Sequence, residues 1–466
     1  MAHPTASETT PLIVSSPPII DAQNIAIERG GSPDFVNGDG YRKGSSQAFR
    51  IAATMYSFVI LGLFTASTGV MLGPLMSYYH LTYLQGSTLF LVPPVGYILS
   101  ASLNSTIHAR FGQRGVAIMG PLLHVLSAVV VACRPGNFGG ALAGWGIMAM
   151  GTGLLDGSWC AMAAAMGSRA NRVSGFLHGS YSTGAALGPF IFAELMAHNV
   201  NWWVWYWILA IASLFELLIL FIAFRHSSAS AYSQGKSITP TLIPTAPTLS
   251  SYKTDILSHP ALWISALFFL MYVGNETTIS GWIVLFMKNA RHATPYLSNI
   301  SSSGYWAGMA IGRLALGHFT DKIGARKGAA IYLACAIVLQ LLFALIRSPI
   351  ISIVLMTSLG FIMGPLFPSG IVVLTQLLPK ELHVKAVSLV SSVGQVGGAA
   401  LPFGIGAVVD SLGIGVFRWV LLVFSSVSLA IWWILAGTLP KTEEVDSSCG
   451  RVYIARRILT REREDR

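Results

Sequence analysis

The stretch Gly312–Lys327 reads G-R-L-A-L-G-H-F-T-D-K-I-G-A-R-K. An apolar run ends in it, a tight polar turn carries Asp321, Lys322, Gly324, Arg326 and Lys327, and a second apolar run begins at once. A glycine-punctuated basic turn between two segments, each long enough to cross about 30 Å of hydrocarbon, belongs at a membrane surface and not in a soluble core. About 212 residues earlier, Ser105–Gly115 (S-T-I-H-A-R-F-G-Q-R-G) repeats the outline in weaker form. A turn that recurs at such a distance predicts two related halves.

The composition points the same way. Of 466 residues, 53% are hydrophobic and only 10% are charged, whereas a soluble globular chain carries about 25% charge. Lipid must therefore cover part of the surface, and the expected fold class is an all-α polytopic membrane protein. A net charge of +10 would suit nucleic acid in a soluble chain. Here the basic residues lie between apolar runs and in the C-terminal tail, so membrane topology explains them and no nucleic-acid partner is expected. The four cysteines (Cys133, Cys160, Cys335, Cys449) show no CxxC spacing and no histidine cluster, so no metal site is expected. With no HExxH, Walker loop or GxSxG, the chain is expected to be neither an enzyme nor an ATP-driven pump, and no cofactor is implied.

Twelve runs are long enough to span a bilayer. Six start near Ile51, Leu84, Val116, Phe138, Ser174 and Trp202. The other six start near Pro260, Leu297, Gly328, Ile350, Val384 and Val416. The expected organisation is a disordered tail at 1–48, a six-helix bundle at 49–224, a Ser/Thr/Pro-rich linker at 225–259, a second six-helix bundle at 260–439 and a tail at 440–466. With the N-terminus placed in the cytoplasm, nearly all Lys and Arg fall on that side. The exceptions are Arg134, Lys288, Arg291, Arg347 and Arg418 in outer loops and Arg313 within a run. Both termini are therefore expected to be cytoplasmic. Trp202, Trp203, Trp205 and Trp207 read as an aromatic belt at the outer face, and Asn299-Ile-Ser reads as an outer-loop glycosylation acceptor.

A second echo supports the repeat: G-A-A-L-G-P-F at Gly184–Phe190 returns as G-G-A-A-L-P-F at Gly397–Phe403. Two motifs at nearly one offset predict parallel six-helix repeats related by an axis along the membrane normal. With twelve spans and a long central linker, the chain resembles the major facilitator superfamily over its whole membrane region. Gly317, Asp321, Lys322, Gly324, Arg326 and Lys327 match that family's G-x-x-x-D-[RK]-x-G-x-[RK] loop. The first copy keeps Arg110, Gly112 and Arg114 but has Ser105 and Ala109 in place of Gly and Asp. The resemblance implies that these loops, and with them Arg110, Arg114, Asp321, Lys322 and Arg326, gate the cytoplasmic face. Arg313 is read as a further gate residue.

Acids inside apolar runs are costly and tend to face a cavity or a partner. Asp156, in G-T-G-L-L-D-G-S-W, lies past the middle of the fourth run, where a carboxylate is suited to taking and releasing a proton. Glu276, in Y-V-G-N-E-T-T-I-S-G-W, lies near the middle of the seventh, amid Asn275, Thr277, Thr278, Ser280 and Trp282. The alternative for Asp156 is a structural ion pair or a capping interaction near a glycine-loosened turn, and the polar stretch around Glu276 suits a binding-site lining better than a lipid face. On the fifth run, His178 and Tyr181 share a helical face and read as a cavity wall, and Gln395 on the eleventh is a weaker candidate. Glu216, alone in its run, is read as a residue that could face a neighbouring helix, and Glu194 and Asp410 as interfacial.

These stretches resemble the fucose-permease group of the superfamily and, more closely, its fungal bypass-of-stop-codon-6-type relatives. In the bacterial sugar members, acids on the first and fourth helices take part in proton coupling. Asp156 matches the second of these, but the first helix here has no acid, and Glu276 is the candidate to replace it. The implied function is a symporter that moves a small polar organic solute, a sugar first, by alternating access. Asp156, Glu276, His178, Tyr181, Asn275, Trp282 and Gln395 form the expected binding or coupling set. An exporter, a uniporter and a non-transporting nutrient receptor remain alternatives. The expected setting is the plasma membrane or an organelle membrane, with protons as co-substrate and the chain as a monomer.

Overall fold

The computed structural model describes residues 46–166, 169–229, 256–378 and 382–437, without the side chains of Asn171, His318, Asp321, Val384 and Lys385. The expected tails and most of the expected linker lie outside these residues. All described secondary structure is helical. Helix α1 spans Gln47–Tyr79, α2 Tyr83–Ser87, α3 Val92–Ala132, α4 Phe138–Ala164, α5 Ala170–Ala197 and α6 Val204–Phe224. In the second half, α7 spans Pro260–Ala290, α8 Pro295–Ile323, α9 Ala325–Leu345, α10 Pro349–Met363, α11 Leu366–Leu377, α12 His383–Leu412 and α13 Phe417–Gly437.

Among the described residues, nine segments are long and apolar enough to cross a membrane. One of them, Tyr83–Ala132, has 50 residues, about 75 Å of helix at 1.5 Å per residue. That is two crossings, and the chain turns between them at Gly112 (φ 69°, ψ −164°). Two further helices, α5 and α8, are long enough but too polar to register as spans. They carry His178, Tyr181, Ser182 and Thr183, and Ser298, Asn299, Ser301 and Arg313, respectively. Helices of this kind cross a bilayer only where their polar side faces protein or a water-filled cleft. With these two the described helices make twelve crossings, α10 and α11 being one crossing broken at Gly364–Pro365.

The repeat is legible in the backbone. Gly112 and Gly324 (φ 84°) both adopt left-handed turns between consecutive crossings, and they sit at equivalent places in the two halves. We call the end of the bundle that carries them the motif face and the opposite end the far face. At the far face Thr82 caps α2 through the Gln85 N–H, and Thr294, its repeat equivalent, caps α8 through the Leu297 N–H.

Packing within each half also repeats. Lipid tails are as apolar as leucine, so helices in a membrane associate by close contact of small residues and by hydrogen bonds. A Cβ at Gly184 of α5 would overlap the Val59 carbonyl of α1, and one at Gly397 of α12 would overlap the Leu270 carbonyl of α7. Helices α1 and α7 are the most enclosed, with 72% and 61% of their apolar windows buried, against 39% for α6 and 33% for the last span. The centre of the molecule is thus the α1–α7 seam, and α6 and α13 face lipid.

The halves meet at the far face. A Cβ at Gly69 of α1 would overlap the Ser280 carbonyl of α7, and one at Gly406 of α12 would overlap Ser87 of α2. Phe90 stacks on Trp282 at 6.2 Å. On the motif side of the middle, by contrast, Ser388, Ser392 and Gln395 of α12 and His178 of α5 are exposed. The cleft between the halves is closed at the far face and open toward the motif face.

Two sequence readings are corrected. Trp205 is fully buried and donates to Ser67 at 2.7 Å, and Trp202 is 8% exposed, so of the four tryptophans it is Trp207 that stands exposed. Asn299 lies within α8, is 3% exposed and donates to the Pro295 carbonyl, which leaves no acceptor for a glycan.

Candidate functional site

The cleft is built from α3, α4 and α5 of the first half and α7 and α8 of the second. Asp156 is half-buried on α4, one turn before Cys160, whose thiol donates to Oδ1 at 3.5 Å. Tyr97 of α3 and Tyr181 of α5 both stand within electrostatic range of Asp156. Tyr181 is also within range of Glu276 and Arg313 of the second half. Its ring meets Trp306 of α8 edge-on at 6.0 Å. His178, one turn before Tyr181's neighbour Ser182 on α5, packs edge-on against Phe58 at 5.8 Å and lies near Arg313.

Arg313 is the bridge between halves. Its guanidinium lies 3.9 Å from Glu276 on α7, with the two side chains 20% and 13% exposed, and donates to Ser182 of α5 at 2.7 Å. Arg313 therefore sits at the cleft with the Glu276 carboxylate. At that separation the pair is a loose contact, weaker than a bidentate one. Tyr272 and Tyr305 lie within its field from the second-half side.

Two expected lining residues turn elsewhere. Asn275 is 2% exposed and donates to Ser425 of α13 at 2.9 Å, because it lies one residue, about 100°, around α7 from Glu276. Trp282 is fully buried and donates to the Pro402 carbonyl, where it supports the far-face closure. Gln395 is exposed on α12, on the same polar face as Ser388 and Ser392. At the motif face Arg110, Arg114 and Lys322 are exposed. The Arg114 N–H donates to Ser227, and Trp432 donates to the Arg326 carbonyl. The Asp321 side chain lies outside the described ones.

Three residues with clear placements were not legible as such. His124, in P-L-L-H-V-L, forms a fully buried pair with Glu216, which faces a neighbouring helix. Tyr97 had no flag beyond its polarity. Asp410 accepts the Tyr83 N–H at 2.9 Å, so its carboxylate closes the N-terminus of α2 across the two halves. The repeat position of Tyr83 is Pro295, which has no N–H, so the equivalent contact is missing on the other side. Asp410→Ala removes this cap, at a cost of about 1 kcal/mol. It is expected to raise far-side alkylation of a cysteine placed at Ser87, beneath Gly406, about five-fold. Unchanged labelling would show that the contact does not hold the far face.

The architecture has a known counterpart. The sequence model of the Major Facilitator Superfamily matches residues 54–302 and 271–451. The chain belongs to the Major Facilitator Superfamily. It is thus a multi-pass membrane transporter of that superfamily and not an enzyme. Among superfamily members it is 25% identical over 390 residues to Bypass of stop codon protein 6 of Saccharomyces cerevisiae, covering 78% of each chain. It is 24% identical over 256 residues to the glucose/mannose transporter GlcP of Bacillus subtilis, covering 54% of this chain and 62% of GlcP. Solved structures share the superfamily fold. A bacterial homologue of the human lysosomal transporter Spinster, in an inward-facing and occupied conformation, aligns with TM-score 0.67 at 12% identity over 85% of this chain and 98% of that one. A D-xylose–proton symporter aligns with TM-score 0.65 at 14% identity, over 85% and 99%.

Proposed function

We propose that the chain carries a small polar organic solute, with a sugar as the first class, through the cleft by alternating access, and that a proton on Asp156 drives it. The observation that carries this reading is the contrast between the two acids. Glu276 has the Arg313 guanidinium as counter-charge, whereas among the described residues Asp156 has a thiol and two tyrosines but no cation. A carboxylate at membrane depth without a cation holds either a proton or water. That suits Asp156 to exchange a proton with the open cleft. The Glu276–Arg313 pair, with Tyr181 and His178, offers the hydrogen-bonding groups that a hydroxyl-rich solute requires. The likeness to a glucose/mannose transporter supports a sugar as the first solute to test.

Basic residues concentrated at the motif face support its placement in the cytoplasm, with both termini on that side. The plasma membrane is the setting proposed first, and the chain is proposed to act as a monomer.

The test is uptake of labelled hexoses and pentoses by the purified protein in liposomes, with and without an inwardly directed proton gradient. Wild-type uptake is expected to rise with the gradient. Asp156→Asn is expected to lose the rise while still exchanging solute across the membrane without a gradient. Gradient-stimulated uptake in Asp156→Asn would remove that residue from the coupling, and no uptake of any sugar would overturn the solute class.

A further inference from the structure

Away from the cleft, His124 of α3 and Glu216 of α6 meet with both side chains fully buried, Nδ1 lying 2.9 Å from Oε2. The other carboxylate oxygen accepts the Ser57 hydroxyl of α1 at 2.6 Å, and His124 Nε2 lies 3.1 Å from the Thr152 hydroxyl of α4. Four helices thus converge on one pair. From α1, Tyr56 also faces it, within electrostatic range of Glu216 and donating to the Ala212 carbonyl of α6, and the Phe64 ring covers the imidazole at 4.9 Å. From α4, Gly151 lets the imidazole approach, since a Cβ there would press on its ring. Asp156 follows Thr152 by one helical turn. Arg50, the cation of α1, is engaged at the motif-face end with the Ala223 carbonyl and Ser227.

A neutral imidazole beside a carboxylate would leave a bare negative charge among four packed helices at membrane depth. The pair is neutral overall only with one proton between the two groups, as imidazolium with carboxylate or as imidazole with carboxylic acid. In either form Ser57 and Thr152 complete the hydrogen bonds. The pair is confined to the first half. At the repeat offset His124 falls on Ala336 and Glu216 on Ser428, and neither position carries a titratable group.

We propose that His124 and Glu216 together hold one exchangeable proton that is taken up and released during the transport cycle. Loss of the proton leaves the bare charge that the present packing does not tolerate. Release therefore favours an arrangement in which α4 has moved and water reaches Thr152 from the side of Asp156. The pair supplies a second proton-binding group beside Asp156, a role that rests on the proton-coupled reading given above. The presence of the exchangeable proton does not.

The experiment has two arms. In the first, infrared difference spectra are recorded between mildly acidic and mildly alkaline buffer on the full chain in lipid. Carboxyl and imidazole bands that titrate together are expected in the wild type and in Asp156→Asn, and their loss is expected in Glu216→Gln. Identical spectra for wild type and Glu216→Gln would overturn the proton site and leave the pair structural. If Glu216→Gln does not fold, the double variant His124→Gln/Glu216→Gln keeps the polar groups without charge and gives the same comparison. In the second arm, gradient-stimulated hexose uptake is expected to fall in Glu216→Gln to its level without a gradient, with exchange retained. Full stimulation in that variant would exclude the pair from coupling. A wild type that ignores the gradient would instead remove the proton-coupled reading, and the spectra would still decide the site.

Discussion

Gly69→Val is expected to abolish net uptake while leaving a folded protein whose far face stays open. Gly69 and Gly281 hold equivalent places in α1 and α7, and in the far-closed arrangement the two backbones touch there. A Cβ at Gly69 would overlap the Ser280 carbonyl oxygen, and one at Gly281 would overlap the Phe90 ring. A carbonyl on a packed helix cannot step aside as a side-chain tip can, so the helices must separate. Overpacking of this kind costs about 1–3 kcal/mol, and valine brings two methyl groups beyond the offending Cβ. The cost falls on one state only, because opening the far face parts the same two helices. About 3 kcal/mol would lower the far-closed population more than 100-fold. A cysteine at Ser87 should then be alkylated rapidly from the far side, while hexose uptake disappears. Gly188→Ala is the control, because its Cβ would stand 3.5 Å from the Leu63 carbonyl oxygen, at ordinary contact distance. Wild-type uptake in Gly69→Val would show that the seam is not a point of closure.

What could be read in the chain beforehand follows from the range of each interaction. Apolar runs, the turn at Gly324 and its echo at Gly112 are local patterns, and both glycines do take the left-handed turns that their places in the motif require. The repeat extends further than the two motifs that revealed it, to the Thr82 and Thr294 caps and to Gly69 and Gly281. Helical periodicity placed His178 and Tyr181 on one face. It could not fix which face of α7 looks into the cleft, and one residue of rotation separates Glu276 from Asn275. Trp282 is six residues from Glu276, about 9 Å along the helix at 1.5 Å per residue, far enough along α7 to belong to the far-face closure.

Long-range partners were beyond any local pattern. His124 and Glu216 are 92 residues apart and come from runs that each look uniformly apolar. Asp410 and Tyr83 are 327 apart. A lone charged residue in such a run signals a partner without naming it. The departures from symmetry carry more information here than the symmetry itself. Asp156, Glu276 and the His124–Glu216 pair have no equivalents in the other half, and a machine that moves a solute in a defined way needs unlike walls around a repeated frame.

Replacing Arg313 by Gln is expected to lower hexose uptake about 30-fold, and the double variant Glu276→Gln/Arg313→Gln is expected to recover part of that loss. Removing one member of a buried pair costs about 3–5 kcal/mol, mostly because the other charge is left uncompensated. An exposed pair is worth about 0–1 kcal/mol. With side chains 20% and 13% exposed and a separation of 3.9 Å, this pair stands between those limits, and about 2 kcal/mol corresponds to the stated factor. The double variant leaves no orphan charge, so its loss should be smaller than the sum of the single losses. Additive losses would mean that Glu276 and Arg313 act separately, each on the solute. Ser182→Ala removes the hydrogen bond that Arg313 makes to the first half, at a cost of about 1 kcal/mol. If that bond only helps to hold the halves together in the motif-open state, Ser182→Ala should increase far-side labelling at Ser87→Cys. If it positions the guanidinium for solute, uptake should weaken with labelling unchanged. The two readouts separate a strut from a binding group at a side chain that touches both halves of the transporter.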